Sequence, residues 1–164
     1  MKNKDYVIMS LGQEEYEEFS QMFGDYFWFD CEIKHDRALI KENVVNKQIL
    51  PSYEKGAIFI DMLKADNKNI GFIMYQLDGN KSDWNERPGF GFIREFYVVK
   101  ECRRSGLGSF LLKNAENTLK QLGAECVYLT SSKKEYVKDF YRANGYSGEN
   151  EYTKNGNEYF SKII

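Results

Sequence analysis

Phe90 to Val99 reads FGFIREFYVV, a run of aromatic and β-branched residues that fits a strand better than any other stretch of the chain. A short turn later, Gly106 to Leu122 carries Leu107, Phe110, Leu111, Ala115, Leu119 and Leu122 at helical spacing, and Gly123 follows as a C-terminal stop. Cys126 to Thr130 then reads as a buried strand. A strand, a helix and a strand in this order give a parallel pair with a right-handed crossover. The expected fold is therefore a mixed α/β sheet with helices on its faces.

The rest of the chain fits around that unit. Tyr6 to Met9 is a strand, and Glu14 to Phe23 is a helix with Tyr16, Phe19 and Phe23 on one face. Asp36 to Ile49 is a second helix, with Leu39, Ile40, Val44 and either Gln48 or Ile49 facing inward, and Pro51 is expected to end it. Ala57 to Leu63 and Ile70 to Leu77 form a hairpin around Asp66-Asn67-Lys68-Asn69. Gly79 to Pro88 is a polar loop, Glu135 to Ala143 a helix ended by Asn144-Gly145, and Tyr146 to Tyr152 with Glu158 to Ile164 a terminal hairpin around Asn155-Gly156. No repeat, linker or low-complexity segment interrupts this order, so residues 1–164 are expected to form one domain.

Composition narrows the partners. A formal net charge of -2 with 29% charged residues gives no global attraction to nucleic acid or anionic lipid. No segment is long and apolar enough to span a membrane, and the N-terminal stretch turns acidic before a signal-peptide run develops. Cys31, Cys102 and Cys126, odd in number and widely spaced, do not form a disulfide framework or a zinc site. A reducing, cytoplasmic location and the absence of a metal are the expectations.

The turn before the central helix carries the chemistry. Arg103-Arg104-Ser105-Gly106-Leu107-Gly108-Ser109 leads into a helix N-terminus, where unpaired backbone amides and the positive end of the helix dipole make an anion site. Glycines at 106 and 108 let a phosphate approach the backbone, and the arginines add charge. The loop is not a Walker A loop, because Ser109-Phe110 follows Gly108, nor a dinucleotide fingerprint, because Leu111 stands where a third small residue belongs. Taken alone, it reads equally well as an ordinary helix start with Ser105 as N-cap.

Its context resembles a known family. Glu95 to Leu112 is similar to the central motif of the GNAT N-acetyltransferase superfamily, a strand and turn, then Gln/Arg-x-x-Gly-x-Gly/Ala, then a helix; Arg103, Gly106 and Gly108 fill its fixed positions. Asp139-Phe140-Tyr141-Arg142-Ala143-Asn144-Gly145-Tyr146 resembles the second signature of that family, in the expected order. The resemblance implies a central, mostly antiparallel, twisted sheet of about seven strands flanked by about four helices, with a splayed central strand pair.

The resemblance also implies a reaction. Acetyl-CoA is the cosubstrate, with its pyrophosphate on the amides from Arg104 to Ser109, including Leu107, and its pantetheine arm along Tyr97, Val98 and Val99 at a bulged strand end. The Val98 amide would polarise the thioester carbonyl. Tyr141 would protonate the leaving thiolate. Glu95 is the candidate to take a proton from the incoming ammonium, although an ion pair with Arg94 or a neighbouring lysine is the alternative reading. Lys134 stands where many relatives place an Asn that contacts the cofactor, and it could reach a phosphate. Relatives often have Gly where Arg104 stands.

The acceptor is expected against the aromatic, acidic stretch DYFWFDCE at Asp25 to Glu32, with Tyr26, Trp28 and Asp30 as contacts, and against Trp84-Asn85-Glu86. His35 is expected to be structural or exposed. These residues suit an acetyltransferase acting on a primary amine of a small molecule. A protein or peptide N-acetyltransferase and a non-catalytic CoA-binding regulator are the alternatives. Turnover separates enzyme from regulator, and product identity separates the two enzymes. The terminal hairpin offers an edge for pairing with a second copy.

Overall fold

The computed structural model describes residues 5–79 and 85–164. The loop expected over Gly79 to Pro88 lies partly outside the described residues, and Trp84 wholly so. Seven strands form one sheet: β1 (Tyr6–Ser10), β2 (Phe59–Ala65), β3 (Lys68–Leu77), β4 (Gly91–Val98), β5 (Cys126–Ser131), β6 (Ser147–Tyr152) and β7 (Glu158–Ile163), in the order β1-β2-β3-β4-β5-β7-β6. All neighbours are antiparallel except β4 and β5, which are parallel and joined by a helix. This is the mixed, mostly antiparallel sheet expected from the sequence. The β2–β3 turn is made by Asp66 and Asn67 with φ of 49° and 64°, the left-handed pair that a tight hairpin requires.

Helices cover both faces. On one lie α1 (Tyr16–Asp25), extended by a π-helical stretch from Tyr26 to Asp30, and a continuous helical run of α2 (Arg37–Ile40), a π-helical segment (Lys41–Ile49) and α3 (Leu50–Glu54). Phe19, Phe23, Val45 and Ile49 pack there on Ile60, Met62, Phe72 and Met74. On the other lie α4 (Leu107–Gln121) and α5 (Glu135–Ala143), whose Leu111, Ala115, Leu119 and Tyr141 meet Ile73, Ile93, Val127 and Phe160. Burying such apolar side chains contributes roughly 1.5–3 kcal/mol each, so the two layers hold the sheet from both sides. No helix among the described residues is long and apolar enough to cross a membrane.

Several expected inward positions differ. Ile40 is buried as expected, and of the pair Gln48 and Ile49 it is Ile49 that faces inward; Leu39 is 59% exposed, and after Ile40 the change from α to π register buries Val45 rather than Val44. Pro51 does not end that run: it falls at the start of α3, where the helix passes from π to α register. On α4, Phe110 is 47% and Leu122 45% exposed, while Leu112 and Glu116 are buried instead. Glu116 tolerates burial because Lys162 Nζ and the Tyr146 hydroxyl bind its carboxylate at 2.9–3.0 Å.

Candidate active site

The site begins with one extra residue. Met74 pairs with Glu95 and Tyr75 with Ile93, so Arg94 is a bulge in β4. Without it, Ile93, Glu95 and Tyr97 would share one face. With it, Ile93 packs under α4, whereas Tyr97 turns to the α1 face beside Phe72 and Met74. Glu95 follows Tyr97 to that face.

Past the bulge, β4 leaves its parallel partner. The β4–β5 pairing is confined to Gly91↔Val127 and Phe92↔Tyr128. Val99 N–H bonds the Ile70 carbonyl on β3, so strand alternation points the peptide groups of Phe96 and Val98 into the opening between β4 and β5. The Phe96 and Phe140 rings stack there with centroids 5.6 Å apart.

The loop at the end of β4 has the shape of an anion cradle. Arg104 and Gly106 have φ of 59° and 81°, and Gly106, rather than Ser105, is the N-cap of α4. The Ser105 hydroxyl instead donates to the Cys102 carbonyl at 2.7 Å. The left-handed Arg104 explains why a glycine is unstrained at that position. The amides of Leu107, Gly108 and Ser109 open the helix and have no acceptor one turn back. A Cβ on Gly106 would meet no atom within 4 Å, so its surroundings are open. At Gly108 a Cβ would come within 3.2–3.3 Å of Phe140 and Phe96, so a side chain here would press on the packing of the helix against its neighbours.

Arg103 turns inward. Its Nε donates to the Val98 carbonyl at 2.7 Å, and its Nη2 reaches both Asp30 oxygens at 2.9 and 3.0 Å. From the α5 side of the opening, Lys134 pairs with Glu32 at 3.2 Å and reaches the Asp30 carbonyl at 3.5 Å. The segment after the first π-helical stretch is thus held from both sides of the strand opening.

Glu95 and Tyr26 meet within this frame, near enough to Tyr141 for the Glu95 charge to act on its phenol. The Tyr26 hydroxyl donates to Glu95 Oε2. Burial pushes the Glu95 carboxyl above its ordinary value, opposed by that hydrogen bond and by the charge of Arg94. Burial, then the Glu95 charge, pushes the Tyr141 phenol up as well. Tyr141 is 8% exposed; its hydroxyl bonds no described residue, and that hydroxyl is not sealed from solvent. The contrast is with Tyr75, Tyr128 and Tyr146, which give their hydroxyls to Asp61, Asp78 and Glu116. Buried tyrosines normally find such a partner.

The remaining expected contacts divide. Tyr26 and Asp30 lie at the opening, but the Trp28 ring faces the cations of Lys34, at 4.7 Å, and Arg37, at 5.9 Å. His35 is exposed. Two residues at the site were not singled out from the sequence. Cys31 sits beside the Tyr26 hydroxyl; the residue as a whole is exposed, and crowding around its thiol by the neighbouring chain pushes it up to about 11. The Cys31 amide bonds the Tyr26 carbonyl five residues back, a π contact that helical periodicity of 3.6 does not reveal. Ser132, just past β5, has a buried hydroxyl without a partner among the described residues. The only sequence signal for it is its place between a strand end and the Lys134 helix start.

The sequence model of the acetyltransferase (GNAT) family matches residues 10–146. Curated protein sequences give no significant match. Among solved structures, the PaiA N-acetyltransferase from Thermoplasma acidophilum in complex with coenzyme A aligns with a TM-score of 0.78 at 18% identity, covering 98% of this chain and 99% of that one. A ribosomal-protein-alanine N-acetyltransferase from Brucella melitensis aligns at 0.75 and 13% identity, over 96% and 99% of the two chains. The YncA protein of Salmonella typhimurium, solved with its cofactor acetyl-CoA, aligns at 0.74 and 12% identity, over 97% and 94%. Identities of this size establish a common fold and nothing finer.

Proposed function

This chain belongs to the acetyltransferase (GNAT) family, and from that premise we propose that residues 1–164 act as one N-acetyltransferase domain that moves an acetyl group from acetyl-CoA to a primary amine of a small molecule, both bound at once. Two similar folds were solved with coenzyme A or acetyl-CoA. The residues here fit such a group: an opening that the Phe96 peptide group and the Val98 amide face, a helix N-terminus with open space at Gly106, and a Ser132 hydroxyl without a partner among the described residues.

Bound acetyl-CoA would supply an activated thioester. The amides from Arg104 to Ser109 hold its phosphates, with Lys134 as a second cation near them. The strand end at Tyr97, Val98 and Val99 holds its arm, and the Val98 amide is the donor available to the acyl oxygen. Glu95 takes a proton from the acceptor ammonium at its free oxygen. As the new C–N bond forms and the C–S bond breaks, Tyr141 gives its hydroxyl proton to the departing sulfur, and the second proton lost by the acylated nitrogen restores the phenol.

The observation that carries this reading is a half-buried carboxylate, held by Tyr26, whose charge acts on the Tyr141 phenol beside the place where β4 and β5 separate. The three free cysteines suit a reducing cytoplasm, and β6 presents an edge to a second copy. The test is a mass-spectrometric screen of polyamines, amino-acid derivatives and aminoglycosides beside peptides with free N-termini. Acetylation of a small amine supports the proposal. Acetylation of peptides alone, or cofactor binding with no turnover of any amine, contradicts it.

A further inference from the structure

We infer that Tyr26 is a positioning residue for Glu95: it holds one carboxylate oxygen, aims the other at the incoming amine, and sets the pH at which Glu95 can accept a proton. This rests on Glu95 being the base proposed above.

Two irregularities converge on this contact. The Arg94 bulge is what turns Glu95 to the α1 face. The switch from α to π register is what carries the end of α1 past that face: Cys31 N–H bonds Tyr26 O at 3.1 Å, and the π-helical stretch runs from Tyr26 to Asp30. Each departs from regular hydrogen bonding, and such departures recur where a side chain must be re-aimed. Here they bring together residues 69 positions apart in the sequence.

The Tyr26 ring has little freedom. It lies 5.8 Å from the rings of Phe23, Phe27 and Phe72 and 6.0 Å from that of Tyr97. Its hydroxyl donates to Glu95 Oε2, whereas Oε1 has no hydrogen-bond partner among the described residues and is not sealed in. A donor on Oε2 favours the ionised carboxylate, against the burial that opposes it. The groups acting on this carboxylate are Tyr26 and Cys31 from the π-helical segment and the residue after it, Arg94 from β4, and Tyr141 from α5.

The test does not require the acceptor to be known. The protein is labelled with ¹³C at glutamate carboxyl carbons, Glu95→Gln assigns the Glu95 signal, and its titration is followed by NMR in the wild type and in Tyr26→Phe. The Glu95 midpoint should rise by roughly one pH unit in Tyr26→Phe, the value of a hydrogen bond to a charged group. Incorporating 3-fluorotyrosine at position 26, a stronger donor of the same shape, should lower the midpoint, and this arm stands if Tyr26→Phe does not fold. An unchanged midpoint in a folded variant overturns the inference. The base assignment fails separately: it falls if Glu95→Gln retains the acidic limb of the kcat/KM profile for an amine found in the screen, whatever the NMR midpoints do.

Discussion

Arg103 and Asp30 join the two halves of the site: Nη2 of the arginine lies 2.9 and 3.0 Å from the carboxylate oxygens, while Nε holds the Val98 carbonyl at 2.7 Å. One side chain thus connects the end of β4 to the segment next to Tyr26. About a third of each side chain in the pair is exposed, so the ion pair contributes little to overall stability. Asp30→Asn is expected to cost at most about 1 kcal/mol in urea denaturation. It should still speed amide exchange several-fold across the segment from Tyr26 to Glu32. Unchanged exchange there would mean that Arg103 does not hold the segment.

Gly71 controls how closely β3 approaches the free end of β4. A Cβ at this position would lie 2.6 Å from the Tyr97 carbonyl oxygen, a backbone atom that cannot swing away. Gly71→Ala is expected to destabilise the fold by about 1–3 kcal/mol, outweighing the entropy that alanine saves in the unfolded chain. Chemical denaturation measures this, and a neutral effect would contradict the close contact.

Glu95 should leave a pH signature on stability. Its folded value lies above the ordinary 4.5, chiefly through burial. In the window above 4.5 the native state therefore holds its proton more tightly than the unfolded state, and stability falls as pH rises through that window. Glu95→Gln removes this cost while keeping an acceptor for Tyr26. The variant should melt higher than the wild type at pH 8, with the difference shrinking at pH 4. A difference independent of pH would contradict the burial of a charged carboxylate.

Tyr141→Phe keeps the ring against Phe140, Tyr146 and Phe160 and removes only the unpartnered hydroxyl. The expected result is a loss of about 100-fold in kcat, the usual scale for a general acid, with acetyl-CoA affinity and melting temperature unchanged. Because burial raises the phenol, it stays protonated through neutral and mildly basic pH. An equal loss in cofactor affinity would assign Tyr141 to binding instead.

Local signals made much of this legible. The aromatic run of β4, the leucine face of α4, the glycine stop at Gly123 and the Asp66-Asn67 turn depend on near neighbours, and the sequence places them within a residue or two. Tyr141 is marked by resemblance to a family motif, and Glu95 by its place in the central strand two positions before Tyr97. What stayed hidden is non-local. The Arg94 bulge exists only in register with β3, so simple alternation cannot locate it. The π segments change which residues face inward, as Leu39 and Val45 illustrate. The inward turn of Arg103 depends on an aspartate 73 positions away.

The central claim is that the opening of the sheet and the N-terminus of α4 bind acetyl-CoA. The most direct measurement is calorimetric titration of the purified protein with acetyl-CoA, beside Gly106→Trp, which fills the open space at the N-cap of α4. Saturable binding to the wild type, lost in a variant that still shows cooperative melting, is the expected result. A folded wild type that binds no acetyl-CoA would contradict the account and return the loop to an ordinary helix start.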